Sequence, residues 1–328
     1  MTTPIDRGPI IETHDLQRTF RSRKTVVEAV RGVDLVVGGG EIFGFLGPNG
    51  AGKTTALSIL IGLTSPTRGE ARISGFNIIA EGMEVRRRTG FLRQDPRFYG
   101  WMTGKETLRF TGRLFGLDAG QIDRRADDLL DLVDLTGAAT RKMGSYSGGM
   151  RQRLGIAQAL MGKPEVLLLD EPCSALDPAG RFEVIGILER LRGTTTVCYS
   201  THILQDVERV ADHVAIVVGG RRVCHAPMHE LLTGSRALIL EVEGDLVALL
   251  ADLRRQPYVE RAEGNAVAES RLSRIRLDVA DVETARRSIP PMVLAHDVVF
   301  VALKAEQRTL EEVFLELTGS ADSIRDAA

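Results

Sequence analysis

The sequence predicts an α/β fold: a large domain on a mainly parallel sheet covered on both faces, then a small α+β domain. Short apolar runs alternate with helical stretches along most of the chain, an order typical of parallel sheets. The run "EIFGFL", residues 41–46, leads into the glycine-rich "GPNGAGKTT" and then into a helical pattern. Near "LLTGSR", residues 231–236, the pattern changes, which predicts a domain boundary there.

The large domain is predicted over residues 10–232, after a flexible N-terminus of residues 1–9. Residues 10–46 alternate apolar runs with turns and are predicted to form strands. The later predicted strands are "GEARISG", "RRTGFLRQD" (ending at Gln94), "VLLLDE", "TTTVCYSTH" and "VAIVVGGRRV". The predicted helices are "TTALSILIGL", residues 103–135 and "FEVIGILERL".

The small domain is predicted over residues 236–320, with a tail at 321–328. Its predicted elements are strand 237–243, helix 245–255, strand 258–262, strand 271–279, helix 281–288 and strand 293–303. A last amphipathic helix, "TLEEVFLELTG", follows. The order βαββαβ is typical of a ferredoxin-like unit.

Composition excludes several classes of protein. The 328 residues are 43% hydrophobic and carry a net charge of −2, so bulk charge gives no reason to expect a nucleic-acid partner. No apolar run approaches the roughly 18–20 residues that span a bilayer, and the N-terminus lacks the apolar core of a secretory signal. Cys173, Cys198 and Cys224 lie far apart, a pattern that fits a reducing cytosol and no metal cage.

The stretch "GPNGAGKT", residues 47–54, fits the phosphate-binding pattern G-x-x-x-x-G-K-S/T, with a strand before it and a helix after it. Its glycines let successive N–H groups point inward at phosphate, helped by the N-terminus of the helix. Lys53 is expected to contact the β- and γ-phosphates, and the Thr54 hydroxyl to ligate Mg²⁺. The predicted nucleotide-binding residues of this loop are Gly47, Pro48, Asn49, Gly50, Ala51, Gly52, Lys53, Thr54 and Thr55.

The apolar run "VLLLDE", residues 166–171, supplies two carboxylates at the end of a buried strand. Ligands of α/β sheets bind at the carboxyl ends of the strands. We therefore expect Asp170 to hold the Mg²⁺ shell and Glu171 to polarise the attacking water.

A second glycine-rich helix start, "GSYSGGMRQRL", residues 144–154, carries a family resemblance. "YSGGM" resembles the signature, usually written LSGGQ, of the ATP-binding subunits of ABC transporters. "SALD", residues 174–177, resembles the D-loop of the same family. The resemblance covers roughly residues 10–232 and implies a P-loop NTPase core with an antiparallel β subdomain and a helical subdomain at about residues 97–160.

The resemblance also implies roles for single residues. Gln94 matches the Q-loop glutamine, which implies a catalytic residue and a Mg²⁺ ligand. His202 in "STH" matches the switch histidine, which implies a second catalytic residue beside Glu171. Phe20 matches an aromatic that stacks on adenine, and Asp177 matches the D-loop aspartate, which implies that both bind nucleotide. Without the resemblance, the simpler interpretation of Gln94 is an exposed strand end, and the alternative for Phe20 is a core aromatic. Trp101 is either a core residue or part of a surface for a membrane subunit.

In this family two ATPase domains meet head to tail, so the resemblance implies that Ser147, Gly148 and Gly149 serve the γ-phosphate of a partner chain. The helix that they begin would direct about half a unit charge at that phosphate. The implied cofactors are ATP and Mg²⁺. The implied partners are a second ATPase subunit, in a homodimer, and a separate transmembrane permease, so the chain is expected at the cytoplasmic face of the cell membrane.

"YSGGM" and "TLEEVFLELTG" also resemble the ATPases of daunorubicin-resistance-type drug exporters, which favours export. Tyr146 and Met150 stand where the signature usually has leucine and glutamine. Two other classes are weighed as alternatives. Ribosome-acting ABC factors resemble two cores in one chain, and repair ATPases have a long coiled coil between phosphate loop and signature. This sequence has one copy of each motif and no sustained heptads between them.

Overall fold

The computed structural model describes residues 8–233, 237–244, 246–266, 272–306 and 308–325. Residues 1–7 of the predicted flexible N-terminus and residues 326–328 of the predicted tail lie outside this range. The chain divides into two compact units, one of Met1–Met228 with Phe314–Ala328 and one of His229–Val313.

Two sheets make up the strand structure of the first unit. The strands are β1 (Pro9–Arg21), β2 (Val26–Gly38), β3 (Ile42–Leu46), β4 (Arg68–Ile73), β5 (Phe76–Asn77), β6 (Thr89–Leu92), β7 (Val166–Asp170), β8 (Thr196–Thr201), β9 (His213–Val218) and β10 (Arg221–Pro227). One sheet has the order β10-β9-β3-β8-β7-β6, and all its neighbours are parallel except β10 and β9. The other has the order β2-β1-β4-β5 and is antiparallel. The predicted mainly parallel sheet and the antiparallel β subdomain are therefore both present.

The central strands β3 and β7 are almost wholly apolar, as expected of parallel strands buried on both faces. Every residue of β3, β7 and β8 is buried. Their register pairs Leu46 with Thr201 and Asp170 with Ser200. Three carboxyl ends thus meet at one edge of the sheet, where the phosphate loop begins.

The helices of the first unit are α1 (Lys53–Leu60), α2 (Gly82–Arg88), α3 (Gly104–Leu114), α4 (Ala119–Leu132), α5 (Gly148–Leu160), α6 (Pro178–Leu191) and α7 (Leu204–Val210), followed by α8 (Met228–Leu232). Three of them, α3 to α5, lie between residues 97 and 160, where the helical subdomain was predicted. The helical stretch predicted over residues 103–135 is two helices instead of one. Gly116 has a φ of 74°, the left-handed conformation that ends helices, and Asp118 then caps α4 by accepting from the Gln121 amide.

The second unit follows the predicted order βαββαβ. Its elements are β11 (Ala237–Gly244), α9 (Val247–Arg254), β12 (Val259–Ala266), β13 (Leu272–Val279), α10 (Val282–Leu294) and β14 (Val298–Ala305). The antiparallel sheet has the order β12-β13-β11-β14, the ferredoxin-like arrangement that the sequence predicted. The last helix, α11, runs over Leu310–Arg325.

One helix of this unit is longer than predicted. The prediction ended it at residue 288, before two prolines, but α10 continues through Pro290 and Pro291 to Leu294. Ala285, Ile289 and Val293 are fully buried at a spacing of four residues and belong to the unit's apolar core. Tertiary packing of this face outweighs the local cost of proline.

Candidate nucleotide site

The phosphate loop leaves β3 and enters α1 through positions that exclude a side chain. A Cβ on Gly47 would lie 2.2 Å from the Val217 carbonyl oxygen, and one on Gly52 would lie 2.1 Å from the Ala29 carbonyl oxygen. Gly52 also has a φ of 97°, which L side chains rarely adopt. Pro48, Asn49 and Gly50 are exposed, whereas Ala51 is buried. The loop is therefore held close to neighbouring strands and presents its outer edge to solvent, as a phosphate cradle requires.

Lys53 is buried, and its ammonium group contacts three groups of the same chain. It donates to the Gly47 carbonyl oxygen at 2.6 Å and to the Pro48 carbonyl oxygen at 3.1 Å. Its Nζ also lies 3.3 Å from Glu171 Oε1, so the structure joins the phosphate loop to the end of β7 by an ion pair. Thr54 is exposed and Thr55 half-buried, one residue further into the helix.

Asp170 accepts two hydroxyl hydrogen bonds at one carboxylate oxygen. Thr54 Oγ1 donates to Asp170 Oδ1 at 2.9 Å, and Ser200 Oγ donates to the same atom at 2.8 Å. A hydroxyl and a carboxylate oxygen in contact are ligands that suit Mg²⁺, which keeps waters and substrate phosphates as its other ligands. No cluster of three or more His, Cys, Asp or Glu that could hold a metal occurs among the described residues. The Thr54 hydroxyl and the Asp170 carboxylate fit a Mg²⁺ that would arrive with nucleotide.

Glu171 has an unusual backbone and two side-chain partners. Its φ is 49°, the left-handed region that non-glycine residues adopt at a cost of about 1–3 kcal/mol. Oε1 contacts Lys53, and Oε2 lies 2.8 Å from His202 Nδ1. The structure therefore brings together Lys53, Glu171 and His202, as well as Thr54 and Asp170.

Gln94, just after β6, contacts the "SALD" segment, which follows β7. Gln94 Nε2 donates to Ser174 Oγ at 3.2 Å; the hydrogen bond that the structure gives this side chain runs to Ser174 rather than to Thr54 or Asp170. Asp177 caps α6 by accepting from the Gly180 amide at 3.0 Å. The structure places Gln94 beside the predicted D-loop, and Gln94 as a metal ligand stays a prediction.

The second glycine-rich stretch lies at the start of α5. Ser147 caps this helix by accepting from the Met150 amide at 3.2 Å, and Ser147 and Gly148 are exposed while Gly149 is half-buried. The first N–H groups of a helix lack partners within it. Tyr146, in contrast, is buried, and its hydroxyl donates to the Ala138 carbonyl oxygen at 2.7 Å. Burial raises the pKa of Tyr146. The tyrosine thus ties the signature stretch to the turn after α4.

Phe20 lies on β1 with 42% of its surface exposed. The Arg18 guanidinium carbon lies 4.5 Å from the centre of its ring. An exposed ring with one face in contact with a cation is not a core residue, so the core alternative for Phe20 is wrong. Its stacking on adenine stays a prediction.

Sequence reasoning missed two residues of this arrangement, Ser174 and Ser200. Ser174 is the first residue of "SALD", and Ser200 is the first residue of "STH", so both belonged to recognised motifs. Nothing local distinguishes Ser200 from other buried serines. Its partners, Asp170 and Glu171, lie on a neighbouring strand about 30 residues away in sequence.

Comparison with known proteins identifies the family. Residues 30–174 match the ABC transporter family. The ABC transporter ATP-binding protein YxlF of Bacillus subtilis (strain 168) is 39% identical over 292 residues, which cover 88% of this chain and 94% of that protein. The chain belongs to the ABC transporter ATP-binding proteins. This ABC ATPase is also 37% identical to the daunorubicin resistance ATP-binding protein DrrA3 of Streptomyces coeruleorubidus, over 92% of this chain and 94% of that protein.

Solved structures agree with the P-loop NTPase fold predicted from the sequence. A dimeric post-hydrolysis state of the ATP-binding cassette MJ0796, bound to ADP and Pi, has a TM-score of 0.61 and 25% identity to the ABC ATPase. The match covers 66% of this chain and 98% of that one. ABC ATPases are ATP-hydrolysing transporter subunits, and this membership confirms the predicted enzyme class.

Proposed function

We propose that this ABC ATPase is the motor of an exporter of drugs or other hydrophobic compounds. Two copies close head to tail on two ATP molecules, and each nucleotide lies between the phosphate loop of one copy and the signature of the other. Closure and hydrolysis drive a separate transmembrane permease. The ATPase is peripheral, at the cytoplasmic face of the cell membrane.

The observation that carries this proposal is the exposed start of α5. Ser147 and Gly148 face solvent, whereas Gln152, Leu154 and Ile156 further along the same helix are buried. A helix whose body is held in the interior and whose positive end is open offers a rigid anion site at a surface. A second copy, bringing the γ-phosphate of its own ATP, suits this site, and the MJ0796 cassette is dimeric.

The hydrolytic step follows from the residues at the strand ends. Lys53 and the loop amides hold the phosphates, while Thr54 and Asp170 would hold Mg²⁺. The metal would neutralise charge on the phosphates. Glu171 takes a proton from water as the water attacks the γ-phosphorus, the bond to the β–γ bridging oxygen breaks, and ADP and phosphate result. His202, in contact with Glu171, orients that carboxylate.

Coupling to a permease is supported by an aromatic pair after Gln94. Tyr99 and Trp101 are 62% and 70% exposed, and their ring centres lie 5.8 Å apart. Exposed aromatics in contact favour a protein interface over a core role. No helix within the described part of the chain is long and apolar enough to cross a membrane. The export of a hydrophobic compound is proposed from the relative named for daunorubicin resistance.

ATP-driven pairing is the experiment that tests the motor. Glu171→Gln should bind ATP and hydrolyse it very slowly, so the ATP-bound dimer should accumulate. Size exclusion with light scattering should show a dimer with ATP and a monomer without it, and Lys53→Ala should stay monomeric throughout. A Glu171→Gln chain that binds ATP yet remains monomeric at saturating nucleotide would rule out the homodimer or the role of Glu171.

A further inference from the structure

We propose that Ser200 is a positioning residue of the ATPase site, and that its hydroxyl holds both Asp170 and Glu171 in their working geometry. The inference rests on the proposed roles of those two carboxylates. It adds a residue of β8 that would act on the site through Asp170 and Glu171.

The hydroxyl of Ser200 makes two hydrogen bonds of opposite sense. It donates to Asp170 Oδ1 at 2.8 Å and accepts from the Glu171 amide at 3.0 Å. A serine hydroxyl has one proton and two lone pairs, so both bonds form at once. The Glu171 amide is shared with the Ser200 carbonyl oxygen at 3.2 Å. One side chain thus links the predicted metal-binding carboxylate to the backbone of the predicted base.

Burial makes this link firm. Ser200 has no exposed surface, and Asp170 and Glu171 are 4% and 6% exposed. Water does not compete for a hydroxyl in such a place, and an acceptor left unpaired there costs about 1–3 kcal/mol. Thr54, the other donor to Asp170 Oδ1, is exposed and would turn to Mg²⁺ when the metal binds. Ser200 is then the donor that keeps Asp170 oriented while Thr54 ligates.

The same hydroxyl supports a strained backbone. Glu171 has a φ of 49°, and this left-handed turn directs its carboxylate toward Lys53 and His202 instead of along the strand. A strained conformation persists only where its surroundings fix it. The hydroxyl and carbonyl oxygens of Ser200 both accept from the Glu171 amide, and these hydrogen bonds hold the backbone at the start of the turn.

The test is Ser200→Ala against a matched control on the same strand. Thr196 is also buried, and its hydroxyl also accepts a backbone amide, that of Gly40 at 2.8 Å. Thr196→Val therefore removes a comparable hydrogen bond at the opposite end of β8. Two quantities are compared: kcat for ATP, and the gain in affinity for a non-hydrolysable ATP analogue when Mg²⁺ replaces EDTA, measured by calorimetry.

Ser200→Ala should lower kcat by about 10–100-fold, the usual effect of losing a group that orients metal ligands. It should also reduce the Mg²⁺-dependent gain in analogue affinity, while affinity in EDTA stays within about twofold, a difference of under half a kcal/mol. Thr196→Val should leave both quantities near wild type. If Ser200→Ala does not fold, Ser200→Cys, with a weaker hydrogen-bonding group of similar size, should show the same two losses to a smaller degree.

Either of two results overturns the proposal: a folded Ser200 variant with wild-type kcat and Mg²⁺ gain, or a Thr196→Val chain that loses as much. Failure of the motor itself is distinguishable. In that case Lys53→Ala would retain the ATPase activity of the wild type, whatever Ser200 does.

Discussion

Lys53 Nζ lies 3.3 Å from Glu171 Oε1 in a buried ion pair, with side-chain exposures of 5% and 7%. The lysine that should receive the γ-phosphate is therefore held by the carboxylate that should activate water. In the proposed mechanism ATP competes with Glu171 for Lys53, and Glu171 then keeps its contact with His202. Nucleotide binding would thereby also release the proposed base.

Glu171→Gln should bind ATP more tightly than wild type, because ATP no longer competes with a negative charge for Lys53. We expect roughly a tenfold fall in Kd, about 1.4 kcal/mol, together with a fall in turnover of about 10²–10⁴-fold. Equilibrium binding at low temperature measures the first and phosphate release the second. Glu189→Gln, at an exposed pair with Arg209, is the control and should change neither. Unchanged or weaker ATP binding by Glu171→Gln would show that the ion pair does not oppose the nucleotide.

Tyr146→Phe should destabilise the region around the signature and leave the predicted phosphate-binding residues Ser147, Gly148 and Gly149 unchanged. It removes the bond from the Tyr146 hydroxyl to the Ala138 carbonyl oxygen, which keeps the Arg141 amide as a donor at 2.9 Å. The expected cost is about 0.5–1.5 kcal/mol of unfolding free energy, the usual net contribution of one hydrogen bond, read from urea unfolding. Tyr99→Phe, at an exposed position, should be neutral. Equal stability of the two variants would mean that the buried hydroxyl contributes nothing.

Alkaline pH should weaken the fold through Cys173. Burial raises the pKa of its thiol from 9.0 to about 12, so the folded chain keeps the proton where the unfolded chain has lost it. The unfolded state then binds fewer protons, and this contribution to stability is complete below pH 9 and falls by up to about 1.4 kcal/mol per pH unit above it. Urea unfolding of wild type and Cys173→Ser at pH 8 and pH 10 measures this. The wild type should lose more stability between the two pH values, and parallel losses would contradict the assignment.

The local parts of the site were predictable from sequence, and the long-range parts were not. Gly47 to Thr55 form one continuous segment whose glycines and lysine define their own geometry, and Asp170 and Glu171 end a recognisable apolar strand. Three features depend on which strands lie side by side: the left-handed φ of Glu171, the Lys53–Glu171 ion pair and the two hydrogen bonds of the Ser200 hydroxyl. Strand order and register decide such contacts, and the sequence of an apolar strand does not show which strand will pair with it.

The same distinction explains the differences in the fold. The order βαββαβ was predicted from the periodicity of apolar residues. The end of α10 was not, because Ile289 and Val293 pack against core residues that are distant in sequence. The break between α3 and α4 at Gly116 has a local sequence signal, a glycine followed by the capping residue Asp118. Capping residues considered together with periodicity predict this break.

The central claim, that the signature completes the nucleotide site of a partner chain, is tested most directly by mixing two inactive variants. Lys53→Ala damages the phosphate loop, and Ser147→Arg puts a bulky side chain at the exposed start of α5. A homodimer of either variant has two damaged pockets. In the mixture, the intact loop of the Ser147→Arg chain meets the intact signature of the Lys53→Ala chain, which gives one whole pocket.

ATP-dependent association between the two differently labelled variants, followed by fluorescence energy transfer, is the measurement. We predict association in the mixture, at the ATP concentration where wild type dimerises, and none with either variant alone. If the signature acted within its own chain, every pocket in the mixture would keep one lesion. No association in the mixture, with both variants folded and wild type dimerising beside them, would contradict the shared pocket.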